Sequence, residues 1–420
     1  MIGFLGATTV AGSATSEPQR LGNAIEDFYG GDLDPAVAVD RDGDALAVAR
    51  TTDGGIELRL GPAGRAFGAA RPLANGPHLA GARIALSREG TGVVAWLREG
   101  ELDEETGEVA CCSRVEAATV DVRGHAGPTR VLSTPDENAE NLGVATRGSH
   151  AAVAWVEDSD LFVASATGLQ PLGDARAVAS EDPTSTMSIL AVTLPGSGRH
   201  PHVIVQLEHR ILELWRIGDR VHRRTLLRVE EQERYLDGNP GEVASTPAGH
   251  LLVTSPSSSS RRAIRVAYRR PGERLRRMLV PVPSPRFLSR PGPGFGDPAV
   301  ALAPTGAGLL GHPVSTGRYA VRTVDHRGRL GARRPARLPE GASGSRAGLA
   351  VDHAGRGVLA VELDDQLRAW RVRSGESPRF AGVLARLTDR GADLSAATEP
   401  GGGARVLWTD DRELFAGRAR

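Results

Sequence analysis

The chain has 420 residues, 40% of them apolar and 4% aromatic, with 52 glycines and 27 prolines. This composition is typical of short strands joined by many turns and argues against long helices. The 51 basic residues are all arginine and are balanced by 51 acidic residues, which argues against a general nucleic-acid binder, because such proteins carry a basic excess.

The N-terminal stretch MIGFLGATTVAGSATS is apolar and rich in small residues, and Gly12-Ser13-Ala14 resembles a signal-peptidase site. The basic start of a secretory signal is missing. We expect residues 1–13 to be a residual signal or a disordered terminus and the protein to be secreted or otherwise extracytoplasmic. A cytoplasmic protein with a frayed end is the alternative. No later stretch reaches 18 consecutive apolar residues, so no transmembrane segment is expected.

One unit then returns along the chain: an apolar strand, a turn centred on glycine, and a second apolar strand. The clearest copies are Asp34–Val48, Ala82–Trp96, Asp297–Leu310 and Ala347–Val361, and a weaker one is Ser188–Val205. Repetition at this scale indicates one small unit built many times. The turn glycines are Gly43, Gly90, Gly148, Gly196 or Gly198, Gly249, Gly306, Gly355 and Gly401.

Each unit continues with two further strand-like segments, which are IELRLG and AFGAARPLANG in the first copy. Four short strands at a period of about 45–50 residues are typical of a β-propeller blade. The sequence therefore predicts an all-β protein in which residues 14–420 form a single β-propeller with eight four-stranded blades. Seven blades is the alternative, if Ser188–Val205 belongs to a neighbouring blade.

The two ends of the chain predict how the ring closes. The last copy ends at Arg420 one strand short of a full unit, and Ala14–Asn23 is similar to the fourth-strand segment Ala66–Gly76. We therefore expect residues Ser16–Asn23 to supply the missing strand of the last blade, because closure pairs a sheet edge that would otherwise be open.

The repeats resemble the bacterial β-propeller repeat proteins, which are mostly exported and read P-x-V-A-V-D-x-x-G-x-A-x-x-A-W. The final tryptophan of that pattern is present as Trp96, Trp155 and Trp408, while Arg50 ends the first copy. Thr51–Gly55 also resembles the Asp-box of sialidase-like propellers, although the aromatic residue is missing. The resemblance implies this propeller architecture without the sialidase catalytic signature, and it carries little chemistry.

Two motifs could indicate metal ions. Asp40–Asp44 resembles half of a calcium loop, but position 12 is Thr51 and the flanks are strands, so a hairpin turn is favoured. His200, His202 and His209 lack further ligands at zinc spacing and are interpreted as surface histidines at a blade edge. We expect no metal site and no cofactor.

The only cysteines, Cys111 and Cys112, are adjacent and cannot join distant segments. The pair resembles the vicinal disulfide of eight-bladed quinoprotein dehydrogenases. However, Ser113 replaces the aspartate that follows in that family, and its repeated tryptophan motif is absent. A vicinal disulfide is predicted if the protein is exported, and two ordinary thiols if it is cytoplasmic.

The strongest charge asymmetry is Arg261–Arg290, where ten arginines stand against the single acid Glu273. A second basic segment is Arg210–Arg228. We expect adjacent strands joined at Pro271-Gly272, with their arginines on one side as a cationic strip. A solvated blade edge that prevents aggregation is the alternative. The candidate anion- or partner-binding residues are Arg261, Arg262, Arg265, Arg269, Arg270, Arg274, Arg276 and Arg277.

These observations predict a non-catalytic binding or scaffold propeller that presents loops and an arginine-rich blade edge to a protein or an anionic glycan. No catalytic residue is assigned, and no nucleic acid is expected as a partner. The alternative is a sialidase-like glycan hydrolase or lyase with its site at one mouth of the central channel. Such a site would need carboxylates, arginines or histidines converging on that mouth.

Overall fold

A computed structural model describes residues 17–23, 36–51, 53–76, 79–100, 112–180, 187–196, 199–228, 242–246, 248–255, 263–281, 298–315, 318–337, 344–363, 365–373, 376–388, 394–399, 403–410 and 413–419. All regular elements within these ranges are β-strands. The described residues contain no helix that is long and apolar enough to cross a membrane.

The strands of the described residues form eight four-stranded antiparallel blades, as the glycine spacing predicts. Blade 1 comprises β2 (Ala36–Val39), β3 (Ala45–Arg50), β4 (Ile56–Gly61) and β5 (Ala70–Ala74), and blade 2 comprises β6 (Leu79–Leu86), β7 (Thr91–Arg98), β8 (Arg114–Asp121) and β9 (Arg130–Val131). Blade 3 comprises β10 (Ala139–Arg147), β11 (His150–Glu157), β12 (Asp160–Thr167) and β13 (Arg176–Ser180), and blade 4 comprises β14 (Met187–Thr193), β15 (His202–Leu207), β16 (Arg210–Ile217) and β17 (Arg220–Arg228).

The second half of the ring repeats the same plan. Blade 5 comprises β18 (Val243–Ser245), β19 (Leu251–Thr254), β20 (Ala263–Arg269) and β21 (Arg276–Pro281), and blade 6 comprises β22 (Ala299–Leu302), β23 (Gly308–Ser315), β24 (Arg318–Val324) and β25 (Arg334–Arg337). Blade 7 comprises β26 (Gly344–Val351), β27 (Arg356–Leu363), β28 (Gln366–Arg373) and β29 (Arg379–Arg386), and blade 8 comprises β30 (Leu394–Thr398), β31 (Ala404–Asp410), β32 (Glu413–Ala419) and β1 (Gln19–Asn23).

The ring closes through the N-terminal strand, which confirms that this part of the chain supplies the missing strand of the last blade, although Ser16 itself lies outside the described residues. Strand β1 pairs antiparallel with β32, with Gln19 opposite Ala416 and Asn23 opposite Glu413. It also reaches blade 1, where Asn23 pairs with Arg50 at the start of the next sheet. The innermost strands of blades 8 and 1, β30 and β2, lie next to each other as the innermost strands of consecutive blades do elsewhere.

Interactions of side chains join blade 8 to blade 1 at the same seam. The Gln19 amide donates to the carbonyl oxygen of Phe67 (2.7 Å) and accepts from the Phe67 N–H (2.8 Å). Arg405 is 1% exposed, pairs with Glu399 (2.9 Å) and donates to the carbonyl oxygen of Gly61 (2.8 Å). An added Cβ at Gly61 would collide with the Arg405 guanidinium, so a larger residue there would require Arg405 to move.

The core consists of apolar layers between blades rather than one central mass. Leu161 and Val163 of blade 3, for example, pack with Val203 and Leu212 of blade 4 in one buried cluster. The second strand of most blades is buried along nearly its whole length, because other blades cover both of its faces. This explains why the sequence copies consist of continuous apolar runs.

The antiparallel order places the connections on two faces of the ring. Turns between the first and second strands, and between the third and fourth strands, lie on one face, here called the short-turn face. Connections between the second and third strands, and between blades, join strand ends on the opposite face. The longest connections of the chain, residues 24–35, 99–113, 229–242 and 282–298, all join strand ends of that opposite face.

The turns of the short-turn face use aspartate in the local way that hairpins require. One carboxylate oxygen of Asp40 accepts hydrogen bonds from the backbone N–H groups of Asp42, Gly43 and Asp44, each at 2.9 Å. Gly43 has a φ of 93°, a conformation that favours glycine. The Asp40–Asp44 motif is therefore a turn in which Asp40 binds backbone donors.

Candidate functional site

The two basic segments of the sequence become neighbours in the structure. The segment around Arg210–Arg228 forms the outer strands β16 and β17 of blade 4, and Arg265 and Arg276 lie on β20 and β21 of blade 5. Strand β17 alone carries four arginines, all exposed, and no acidic residue. The outer strands of blades 4 and 5 therefore carry most of both basic segments within the described part of the chain.

The predicted strip is divided between two faces of blade 5, so the expectation of arginines on one side is wrong. Tyr268 lies opposite Arg276, and Ala267 lies opposite Arg277, so the two adjacent arginines point to opposite sides of the sheet. Arg276 donates to the carbonyl oxygen of Arg327 in blade 6 (3.4 Å). Side chains at adjacent positions of a strand point to opposite faces of the sheet, and this alternation separates Arg276 from Arg277.

The arginines on the other face of blade 5 reach toward blade 4. Arg277 donates to the carbonyl oxygens of Leu226 and Thr225, both at 2.9 Å, and Arg265 donates to the carbonyl oxygen of Arg228. These interactions join the outer strands of the two blades. Carbonyl oxygens carry no net charge, so these hydrogen bonds do not neutralise the positive charge of the Arg277 guanidinium.

The remaining candidates are distributed over the turn and the interior. Arg270 pairs with Glu273 (2.7 Å) in the turn between β20 and β21, and Arg274 is exposed in the same turn. Arg269 is 7% exposed and therefore inaccessible to an outside partner, which corrects its assignment to the strip. Arg261 and Arg262 lie outside the described residues.

Buried Glu213 on β16 explains the position of Arg269. The carboxylate is fully buried and makes a two-point pair with the Arg269 guanidinium, with a distance of 2.7 Å from Nη2 to Oε1. His202 Nδ1 lies 2.8 Å from the same oxygen, and Arg224 lies 3.5 Å from Oε2. Burial alone would raise the pKa of Glu213, but the hydrogen bonds from His202 and Arg269, and their charges, lower it to about 2.

A row of stacked rings crosses blade 4 beside Glu213. The rings of His202 and Trp215 are 4.8 Å apart and nearly parallel, those of Trp215 and His222 are 5.2 Å apart, and the Arg224 guanidinium lies 5.4 Å from the Trp215 ring centre. The strand register places the three rings directly opposite one another. His202 is therefore not the surface histidine that we expected, and His200 precedes the strand.

A groove lies on the outer side of the ring between blades 4 and 5, here called the 4–5 groove. Its volume is about 680 Å³, and it combines positively charged and apolar side chains. Leu279 is exposed over 64% of its surface in this groove. The lining residues are Thr225, Leu227, Arg228, Arg265, Arg277, Met278 and Leu279.

A second cavity, of about 500 Å³, lies on the short-turn face, where the first turns of blades 2, 3, 5 and 6 meet. Arg88, Glu89, Arg147 and His150 contribute its charged and ionisable side chains, together with small residues. Glu89 is the only carboxylate among these lining residues. The described residues contain no group of three or more histidine, cysteine or acidic side chains that could hold a metal ion.

The cysteine pair is only partly described. Cys112 is in a disulfide and is 5% exposed. Cys111, the only other cysteine of the sequence, lies outside the described residues. The vicinal pairing therefore stays a prediction.

Comparison with solved structures identifies the fold as that of β-propellers. The chain is similar to the lectin BP39L from Burkholderia pseudomallei, with a TM-score of 0.51 and 13% identity over 84% of this chain and 98% of the lectin. It is also similar to the Dos1 propeller, with a TM-score of 0.53 and 10% identity over 97% and 96% of the two chains.

A prolyl endopeptidase is a third similar structure, with a TM-score of 0.51 and 12% identity. The similarity covers 89% of this chain but 54% of the peptidase. No protein-family model matches the chain. No curated protein sequence matches it either. At these identities the likeness concerns the fold alone.

Proposed function

We propose that this propeller is a binding protein and that its partner is an acidic polypeptide segment held in the 4–5 groove. The observation that carries the proposal is the lining of that groove, where arginines surround the exposed apolar side chain of Leu279. Neither a purely charged nor a purely apolar ligand would use both kinds of side chain.

The charges of the outer strands favour an anionic partner. Arg220, Arg223, Arg224 and Arg228 follow one another along β17 without an intervening acid. A cluster of one sign creates a local potential that attracts a partner of opposite charge and speeds its association. Arginine also forms two parallel hydrogen bonds with a carboxylate, which adds geometric specificity.

The apolar surface favours a polypeptide over an anionic glycan. Leu279, which lines the groove, is 64% exposed. A polypeptide with alternating acidic and apolar residues would cover this surface, whereas a polyanionic glycan offers mainly hydroxyl and charged groups. Strand β17 is also the outer edge of blade 4, and an extended segment can add to such an edge through backbone hydrogen bonds.

Two further observations support binding rather than glycan hydrolysis. Most glycosidases use a pair of carboxylates, and among the described residues Glu89 is the one carboxylate that lines the cavity on the short-turn face. The similarity to a lectin agrees with binding as a use of this fold. The choice of an acidic polypeptide as the partner rests on the residues that line the 4–5 groove.

The test compares three fluorescent probes: an alternating Glu-Leu dodecapeptide, an oligoglutamate of equal length, and heparin oligosaccharides. Binding is measured as fluorescence anisotropy of each probe at low and at moderate salt concentration. We expect the Glu-Leu peptide to bind most tightly. The double variant Arg220→Glu/Arg228→Glu should weaken binding about tenfold or more, because Arg228 lines the groove and Arg220 adds positive charge on the same strand. Both side chains are exposed and have no assigned role in joining blades, so the fold should tolerate the changes. Leu279→Ser should selectively weaken the Glu-Leu peptide.

The matched control is Arg41→Glu/Arg373→Glu, which reverses two exposed arginines in blades 1 and 7. It changes the net charge equally but leaves the 4–5 groove intact. The proposal is overturned if this control weakens binding as much as the groove variant does. Tighter binding of heparin than of the Glu-Leu peptide would indicate an anionic glycan instead.

A further inference from the structure

A smaller pocket lies on the other side of blade 4, between its outer strands and those of blade 3, and is called the 3–4 pocket. Its volume is about 300 Å³. The side chains of both blades, and the chain before β15, contribute to it. The lining residues are Val163, Ser165, Gly173, Asp174, Arg176, Val178, Arg199, His200, Pro201, Arg216 and Gly218.

Arginines from the two blades face each other across this pocket. Arg216 lies on the side of β16 that carries Leu212 and Leu214, and these leucines pack against blade 3. Arg176 lies opposite Val163 in the register of blade 3 and therefore shares the side that faces blade 4. Like charges that face each other across a gap repel, so this arrangement favours an anion between them.

The guanidinium of Arg216 is held in place before any ligand arrives. It donates to the carbonyl oxygens of Ala177 in blade 3 (2.7 Å) and Gly218 in its own blade (2.9 Å). Asp219 lies 3.4 Å from it, but the Asp219 side chain is fully exposed. A guanidinium fixed in this way loses little conformational entropy on binding an oxyanion.

The end of the pocket nearest the short-turn face is also basic. Arg199 and His200 precede β15 and are exposed. Asp174 is the one acidic residue of the lining, and its carboxylate is 3.5 Å from Arg130 of blade 2 with its side chain 96% exposed. Within the described lining, three arginines and a histidine therefore stand against the single carboxylate of Asp174, and the carboxylate of Asp219 beside Arg216 is fully exposed.

We propose that the 3–4 pocket binds the tetrahedral oxyanion of a small phosphate or sulfate ester. Guanidinium groups from two blades can donate hydrogen bonds to several oxygens of such a group. Arginine is well suited to this role, because its planar guanidinium can donate two parallel hydrogen bonds to two oxygens. The volume of about 300 Å³ is at the lower end of small-molecule sites, with room for more than the oxyanion. Val163, Val178 and Pro201 supply an apolar wall for the organic part of the ester.

Calorimetric titration of the full chain tests the proposal with glucose 6-phosphate, glucose 6-sulfate, glucose and inorganic phosphate, at constant ionic strength set with chloride. We expect saturable binding of at least one ester and none of glucose. The tighter of the two esters identifies the oxyanion. Equal affinities for inorganic phosphate and glucose 6-phosphate would overturn the assignment to an ester.

Variants connect the binding to this pocket. Arg176→Ala and Arg199→Ala should each weaken the ester about tenfold or more, and both side chains are exposed, so the fold should tolerate the changes. Arg123→Ala is the matched control, because Arg123 is an exposed arginine on the short-turn face of blade 2. An equal loss in the control, or unchanged binding in both pocket variants, would overturn the proposal. The 3–4 pocket and the 4–5 groove share no lining residue, so each can fail without the other.

Discussion

Arginine side chains join neighbouring blades by donating to main-chain carbonyl oxygens. Arg71 of blade 1 donates to the carbonyl oxygen of Arg123 in blade 2 (2.7 Å), and Arg130 of blade 2 donates to that of Leu172 in blade 3 (2.6 Å). A guanidinium has five N–H donors in a fixed plane and can bind such oxygens while it also binds a carboxylate. Arginine therefore has a structural use between blades, in addition to any binding role.

At Glu213 we predict a pH-dependent contribution to stability. The pKa of Glu213 is about 2 in the folded protein against 4.5 as its ordinary value, so the unfolded state binds more protons and stability rises with pH. The difference in free energy of unfolding between the wild type and Glu213→Gln should be fully present above about pH 5. It should fall by about 2 kcal/mol between pH 6 and 3, because one pKa unit corresponds to about 1.4 kcal/mol.

Urea denaturation at a series of pH values measures this difference. Glu413→Gln is the control, since Glu413 pairs with Arg20 at the surface, where both side chains are largely accessible. Its difference from the wild type should stay small at every pH. A Glu213→Gln difference that is constant with pH would contradict the buried pair as described.

At the level of elements, β1 is a short strand with one deeply buried residue. Leu21 is 1% exposed and packs with Ala47, Leu407 and Leu414 in a cluster shared by blades 1 and 8. Leu21→Ala should lower the free energy of unfolding by about 2–5 kcal/mol, because it removes buried methyl groups and leaves a cavity. Chemical denaturation measures the loss.

The neighbouring residue gives a control for β1 within the same strand. The Arg20 side chain is 55% exposed and pairs with Glu413 at 2.8 Å. Arg20→Ala should cost less than about 1 kcal/mol, as exposed ion pairs do. Equal effects of Arg20→Ala and Leu21→Ala would show that β1 does not close the ring through its buried side.

Sequence predicted the elements better than the contacts between them. The similarity of Ala14–Asn23 to Ala66–Gly76 was sufficient to place β1 in the last blade, since strand type and unit length are local properties. The partnership of Glu213 with Arg269 crosses between blades over a separation of 56 residues, and no local pattern contains it. The alternation of Glu213 and Trp215 in the apolar strand RILELWRI was the available signal for a polar cluster there.

The face of the sheet to which each side chain points was the second property that the sequence did not predict. Arg276 and Arg277 are adjacent in sequence, and the charge count alone placed them on one strip. Strand alternation could have separated them, but the face that each takes depends on the pairing of β20 with β21. A prediction of the 4–5 groove requires the order of the blades, which follows from the repeats. It also requires the extent to which each side chain is buried, which the repeats do not determine.

At the level of the whole molecule, the ring makes the blades interdependent. Arg405 is 1% exposed and joins blade 8 to blade 1 through Glu399 and the carbonyl oxygens of Gly61 and Pro62. Arg405→Ala should lower stability by about 3–5 kcal/mol, because it leaves a buried carboxylate with one partner fewer. We expect the loss to affect all blades together.

Coincidence of two probes tests this cooperativity. Buried tryptophans report on separate parts of the ring, with Trp96 in blade 2, Trp155 in blade 3 and Trp370 in blade 7. Tryptophan fluorescence and far-ultraviolet circular dichroism should give the same lowered midpoint for Arg405→Ala. Separate transitions would indicate that the blades unfold independently, and Arg65→Ala, in an exposed turn of blade 1, is the control.

The pairing of β1 with β32 has a consequence for protein synthesis. The ribosome makes β1 (Gln19–Asn23) before every other described strand, but it makes the partner strand β32 (Glu413–Ala419) after all of them. At ordinary translation speeds about 20–80 s separate the two strands. During that time every intermediate blade can form while the seam stays open. Closure of the ring must therefore wait until β32 has been synthesised, and the nascent chain carries the unpaired edge of β1 until then.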